Sequence, residues 1–258
     1  PKDEQKGLDP DGRLINKGIA ESLVQQLASS PDGVVKSVTK SKKKDLQRLP
    51  LSLSSLQVLA GKAYSYDPQT VLDTAQKLYE KKLTTYPRSD CEYLPPNQYG
   101  DRMAILSNLA QSGDEKLSQW AQNADRNIKS RAWNDKKITA HHAIIPTTVA
   151  CNVNSLTQAE RNIYFLISQA YIAQFYGEHV YEQTRIVVGQ CEEEFVANGR
   201  VVIEEGWKSL YKRQKSKTNA DGDEPDLTDE RGAESGPKKD AIEEADHLPS
   251  VKKNDSVQ

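Results

Sequence analysis

Apolar residues recur at helical spacing in several stretches of this chain, and between and after them the period shortens to two. In residues 16–29 (NKGIAESLVQQLAS) Ile19, Leu23, Val24 and Leu27 share one helical face, after a turn-rich start at Asp9-Pro10-Asp11-Gly12. Pro31-Asp32-Gly33 ends that pattern, and VVKSVTKS follows, β-branched and alternating, which predicts a strand with one polar face. The run Lys40-Ser41-Lys42-Lys43-Lys44 reads as a solvated loop or sheet edge. From Leu51 the character turns helical. Asp67 followed by Pro68 pairs an N-cap acceptor with proline at the first helical position. Val71, Leu72, Ala75, Leu78 and Tyr79 then form the predicted buried stripe of a helix ending near Lys82. Residues 101–112 (DRMAILSNLAQS) predict another helix, ended by Gly113. Thr157-Gln158-Ala159-Glu160 is a capping box opening a long helix to about Tyr176. Strands return in HVYEQTRIVVG and in CEEEFVA and RVVIEE, which Asn198-Gly199 is expected to join as a hairpin turn.

Strand, helix, strand is the order, and the outer pieces are too short to fold apart. The economical reading is an α+β chain in which a helical domain interrupts a small β-rich one assembled from residues 33–47 and 179–205. The expected segments are 1–50 (leading helix and first β piece), 51–178 (helical), 179–211 (returning β piece), 212–247 (a charged linker with few large apolar residues) and 248–258 (the start of a further domain).

Composition narrows the class. The chain has 258 residues, enough for a sizeable core, and no apolar run approaches the roughly 18 residues of a membrane span. The charged start PKDEQKGLDP predicts no secretory leader. Pro1, with the sole methionine at Met103, suggests a piece of something longer. Three scattered cysteines (Cys91, Cys151, Cys191) form no CxxC pair, which argues against a zinc ribbon or disulfide scaffold and suits a reducing cytosol. The net charge of −2 conceals an asymmetry: residues 218–258 hold 12 acidic and 5 basic residues, leaving 30 basic and 25 acidic on residues 1–217. A mildly basic body is compatible with an anionic partner such as nucleic acid, and equally with ordinary solubility.

Two clusters carry chemistry. Thr84-Thr85-Tyr86-Pro87-Arg88-Ser89-Asp90 places a phenol, a guanidinium and a carboxylate within a few residues. In an extended stretch, alternation would project Tyr86 and Arg88 to one side. A phenol of pKa about 10 needs a nearby cation to serve as nucleophile, and a guanidinium matches phosphate oxygens. Phosphoryl transfer through a phosphotyrosine is one reading. A packed tyrosine beside a surface arginine is the other. The second cluster is Ala140-His141-His142-Ala143-Ile144-Ile145-Pro146-Thr147, whose adjacent histidines diverge and so do not by themselves make a metal site. No phosphate loop, acidic metal motif or Ser–His–Asp arrangement is visible.

TTYPRSD together with HHAIIPT closely resembles the active-site signatures of type IA DNA topoisomerases, in the form seen in bacterial topoisomerase III. LPLSLSSLQ, AQKLYEKKLTTYPRSDCEYLP and the strands leading to Gly206-Trp207 are similar to the family in the same order, over roughly residues 15–211, and LPSVKKNDSV resembles the entry to its next domain. The resemblance implies a helical tyrosine-bearing domain inserted into a β-rich hinge, part of the family's toroid. It implies cleavage and rejoining of single-stranded DNA for strand passage, relaxation and decatenation. Tyr86 would be the nucleophile that takes the 5′-phosphate, and resealing would need no ATP. Arg88 matches the arginine at the scissile phosphate, His141 the histidine of the second motif, and Asp90 would orient Arg88. Arg88, Ser89, Asp90, His141 and Thr147 are the implied DNA contacts. The family's Mg²⁺ site lies in a preceding domain with no counterpart in this sequence, so the piece alone is expected to be inactive, with the parent's remaining domains as partners. A bacterial cytoplasmic setting, near nucleoid or plasmid DNA and without a membrane, is implied. The competing reading is a non-catalytic single-stranded DNA-binding module.

Overall fold

Most helices begin where the sequence supplies a cap. In the computed structural model, which describes residues 13–30, 32–212 and 252–257, Asn16 caps α1 (Lys17–Ser29) and Ser52 opens α2 (Leu53–Tyr64) through a capping box with Ser55. Asp67 accepts from the amides of Gln69 and Thr70 to start α3 (Pro68–Glu80). After α4 (Arg102–Ala110), Gly113 takes a φ of +86° and Asp114 caps α5 (Glu115–Asn123). Thr157 and Glu160 form the capping box of α6 (Gln158–Ile172), which continues as a 3-10 turn through Phe175. Reciprocal caps of this kind satisfy amides that a helix start leaves unpaired.

The described residues form two compact units. One takes in the described parts of Pro1–Lys43, Tyr181–Ile203 and Pro237–Gln258, the other those of Lys44–Val180 and Glu204–Gly236. The second unit holds the hydrophobic core. Helix α6 runs through it, with Ile163, Tyr164, Ile167 and Tyr171 buried, and Phe175 of the following turn buried with them, against Leu56 of α2, Leu78 of α3 and Leu106 of α4. Three expectations change here. Helix α3 buries Val71, Thr74, Ala75 and Leu78, while Tyr79 is exposed because it sits on the face that meets Tyr86. Gly206–Tyr211 packs on the helical unit rather than with the returning strands: Trp207 Nε1 donates to the Asp45 carbonyl (3.1 Å) and Gln169 Nε2 to the Leu210 carbonyl (2.8 Å). Helix α5 was not foreseen.

The first unit is built on a sheet of order β3-β2-β1-β4, from β1 (Gly33–Asp45), β2 (His179–Gln190), β3 (Glu193–Glu204) and β4 (Ser256–Val257). The lysine run lies within β1, where Lys40 pairs with Glu182 at 3.1 Å. Lys36 passes over Gly189 to reach Glu194 at 3.0 Å, and a Cβ on Gly189 would meet its side chain. The hairpin turn is not Asn198-Gly199, which lies inside β3. Cys191 and Glu192 make it, with φ of 51° and 65°, the left-handed pair a two-residue primed turn requires. Two strands of equal length paired beside β1 set the turn at their midpoint, against local preference. Helix α1 forms but buries none of its residues. Near the other end of the described chain, β4 pairs antiparallel with Gly33 and Val34. The expected linker lies outside the described residues, except for Lys212.

Candidate functional site

Two irregular segments meet at one end of α3. After Lys81 the chain turns through Lys82 (φ 61°), and residues 83–90 form no strand. A single bridge joins Thr84 to Pro146, flanked by Thr85 N donating to the Ile145 carbonyl (2.9 Å) and Thr147 N to the Leu83 carbonyl (3.1 Å). A second bridge joins Leu51 to Ile144, and Leu53 N donates to the Ser89 carbonyl (2.8 Å). Pro87 carries no amide proton, so the ladder cannot continue past Tyr86.

The stitching brings the two clusters together. The rings of Tyr86 and His141 lie 4.6 Å apart between centroids at 42°, and Tyr79 meets Tyr86 edge-on at 5.6 Å and 81°. Tyr86 is half-buried between them. Arg88 is exposed two residues on, as is His141. His142 faces elsewhere: its Nδ1 lies 2.8 Å from the Ala143 carbonyl and its Nε2 3.0 Å from Gln98 Nε2. The carbonyl contact requires a proton on Nδ1, so Nε2 accepts from the amide. The second histidine is tied into the fold, and the first is left to Tyr86.

Three other expected site residues lie close by in the same segments. Ser89 is 1% exposed, its hydroxyl accepting from Cys91 N at 3.2 Å, so it shapes the loop. The Thr147 hydroxyl donates to the Lys82 carbonyl (2.5 Å) and accepts from Val149 N (3.2 Å), which makes it a brace under the segment that carries Tyr86. Asp90 is exposed, two residues beyond the likewise exposed Arg88. Buried and exposed positions alternate from Pro87 to Cys91, with Arg88 and Asp90 outward.

A groove of about 510 Å³ opens beside Tyr86, lined by Tyr79, Glu80, Lys82, Thr84, Thr85 and Thr147. Behind it, Lys81 at the C-cap of α3 holds Glu160 at 2.7 Å, locking the start of α6 to the end of α3. Burial works to raise the Glu160 carboxyl, but hydrogen bonds from Lys81 and Thr157 outweigh it and hold the group below the usual carboxylate range. Burial pushes the nearby Cys151 thiol up, which leaves it a poor nucleophile. No cluster of three or more His, Cys, Asp or Glu among the described residues is placed to hold a metal ion. Sequence reasoning missed Tyr79 and Thr85 as site residues. Tyr79 follows the period of the buried stripe, and nothing short of the fold shows that its face meets Tyr86.

The chain belongs to the DNA topoisomerase family, in its type IA branch: a family profile described as DNA topoisomerase matches residues 2–255. The DNA topoisomerase 3 of Vibrio cholerae is 39% identical over 207 residues, which is 80% of this chain and 32% of the relative. That of Haemophilus influenzae is 40% identical over 214 residues, 82% of this chain and 32% of the relative. The chain thus spans about a third of the length of these curated relatives. Full-length topoisomerase I from Thermotoga maritima shares the fold, with a TM-score of 0.54 at 21% identity over 80% of this chain and 34% of that one.

Proposed function

We propose that this chain is the tyrosine-bearing part of a topoisomerase III-like enzyme that cuts and rejoins single-stranded DNA. The Tyr86 oxygen attacks a backbone phosphorus, the bond to the 3′ oxygen breaks, and the 5′-phosphate stays on the tyrosine. The phenol proton leaves, and the departing 3′ oxygen takes one up. Rejoining reverses these steps, and because the phosphoester bond is exchanged rather than hydrolysed, no ATP is consumed. Arg88 supplies positive charge and a bidentate match to the phosphate. His141 packs against the attacking ring and is itself exposed. The observation that carries this reading is the 4.6 Å approach of Tyr86 and His141 from two separate segments.

Type IA enzymes draw on Mg²⁺. Its ligands would lie in other parts of the parent enzyme. Cleavage by the full-length parent enzyme, with DNA and the remaining domains as partners in a bacterial cell, follows from the same reading.

The test is Tyr86→Phe in that parent. A labelled oligonucleotide on a denaturing gel should lose its protein-linked band entirely, with the fold and DNA binding kept. Arg88→Ala should slow band formation by roughly 10²–10³-fold, by analogy with the loss of one oxyanion donor. A band from Tyr86→Phe as strong as wild type would mean another nucleophile. A wild-type parent that binds DNA and never forms the band would favour a non-catalytic binding module.

A further inference from the structure

We propose that Thr85 is the positioning residue that sets Tyr86 against His141. This rests on the reading of Tyr86 as nucleophile for its catalytic consequence, though not for its geometry. The Thr85 hydroxyl lies 3.1 Å from the Ala143 carbonyl, to which it donates, and 3.0 Å from Ile145 N, from which it accepts. The Thr85 amide donates to the Ile145 carbonyl at 2.9 Å. One residue thus makes three bonds to the histidine-bearing segment.

The pattern is unusual in a specific way. In an antiparallel hydrogen-bonded pair, residues 85 and 145 would exchange both main-chain bonds. Here only one is main-chain. Ile145 gives its proton to the Thr85 side chain, so the Thr85 carbonyl is released from the ladder immediately before Tyr86. The hydroxyl stands in for that carbonyl, holding the segments in register while the backbone turns away. Its donated proton goes to Ala143, two residues after His141. The side chain therefore ties the residue before the nucleophile to the strand of chain that carries His141. Ala143 and Ile145 are 0% and 2% exposed, so water does not readily replace the hydroxyl.

A serine keeps both bonds, and a valine of nearly the same shape keeps neither. The first measurement uses this chain by itself: the NMR shifts of the His141 ring protons, which the Tyr86 ring displaces at 4.6 Å. Thr85→Val should move them toward free-histidine values, and Thr85→Ser should leave them in place. The second measurement is the rate of the protein-linked band in the parent enzyme. Displacement of the ring by about 1 Å corresponds to about 10²-fold, expected for Thr85→Val with single-stranded DNA affinity unchanged, while Thr85→Ser stays close to wild type. Rescue by serine is the outcome that a general loss of stability would not produce. If Thr85→Val gives no dispersed spectrum, Thr85→Ala removes the hydroxyl without a second methyl, and the same shift is expected. His141 shifts unchanged in a folded Val or Ala variant would overturn the proposal. So would a serine variant as slow as valine. Should the shifts move as expected while Tyr86→Phe still forms the band, the positioning geometry stands and the nucleophile assignment fails.

Discussion

Replacing Gly206 with alanine tests how the returning chain is anchored to the helical unit. Gly206 has a φ of +52°, and an added Cβ would lie 2.2 Å from the Glu178 carbonyl oxygen and 2.4 Å from that of Gly177. Both obstacles are backbone, so no side-chain rotation relieves them. The left-handed conformation alone costs an L-residue about 1–2 kcal/mol. The clash must then be met by moving the segment Gly206–Tyr211. That movement stretches the bond from Trp207 N to the Gly177 carbonyl (2.9 Å), worth about 1 kcal/mol net. It also loosens Trp207 and Leu210, now 5% and 2% exposed, and Arg48, which lies 5.7 Å from the Trp207 ring centroid. Full loss of either buried side chain would cost about 1.5–3 kcal/mol, and a partial shift a fraction of that.

The expected destabilisation is therefore about 3–4 kcal/mol, the sum of strain, one weakened bond and part of the Trp207 packing. Gly177→Ala is the matched control: its Cβ would meet nothing within 4 Å. It should stay within about 0.5 kcal/mol of wild type, as surface changes usually do. Urea unfolding followed by tryptophan fluorescence gives both values, and in Gly206→Ala the Trp207 emission should shift to the red even before unfolding. Equal urea midpoints for the two variants would refute the reasoning, because it would mean the close approach at Gly206 is not a constraint.

Two further outcomes follow from particular contacts. Glu160 has its carboxyl held below the usual range, so its contribution is present above the unfolded value of about 4.3 and is lost as pH falls through the lower folded one. Thermal melts across that window should steepen for wild type and flatten for Glu160→Gln. Lys81→Met should cost about 1–2 kcal/mol at neutral pH, less than a fully buried pair because Lys81 is half-exposed. At the hairpin, Glu192 holds a φ of 65° without being glycine. Glu192→Gly should stabilise by about 0.5–1 kcal/mol in the same melts, and destabilisation would mean the side chain makes a contact that outweighs its strain.

The elements that were legible in the sequence are those with chemistry at their ends. Asp67-Pro68 and Thr157–Glu160 announce helices because a cap satisfies amides locally, whatever the rest of the chain does. The hairpin turn was misread for the opposite reason. Asn198-Gly199 suits a tight turn, but turning there would leave β2 without the partner that residues 193–204 provide, and pairing along twelve residues outweighs one dipeptide. Helix α5 is short and follows Gly113 closely, so its period has little room to declare itself. At the site, Tyr86, Arg88 and His141 were legible as residue types in a motif. Their meeting was not, since it depends on bonds between segments far apart in the chain.

Those bonds also divide the motif by purpose. Two rungs between the two segments, Thr85 N to Ile145 and Thr147 N to Leu83, run main chain to main chain and would survive many substitutions. Three more depend on a side-chain hydroxyl, Thr85 to Ala143 and Ile145 and Thr147 to Lys82, and the Ser89 hydroxyl braces its own segment through Cys91. Such side chains can stand in for backbone groups because they donate and accept within a short reach. The aromatic and charged members, Tyr86, Arg88 and His141, are left half-buried or exposed. In TTYPRSD and HHAIIPT, then, the hydroxyl residues hold the backbone in an irregular path, and that path leaves Tyr86 against His141 with Arg88 exposed. A substitution that keeps the hydroxyl should preserve the site, and one that keeps only the volume should not.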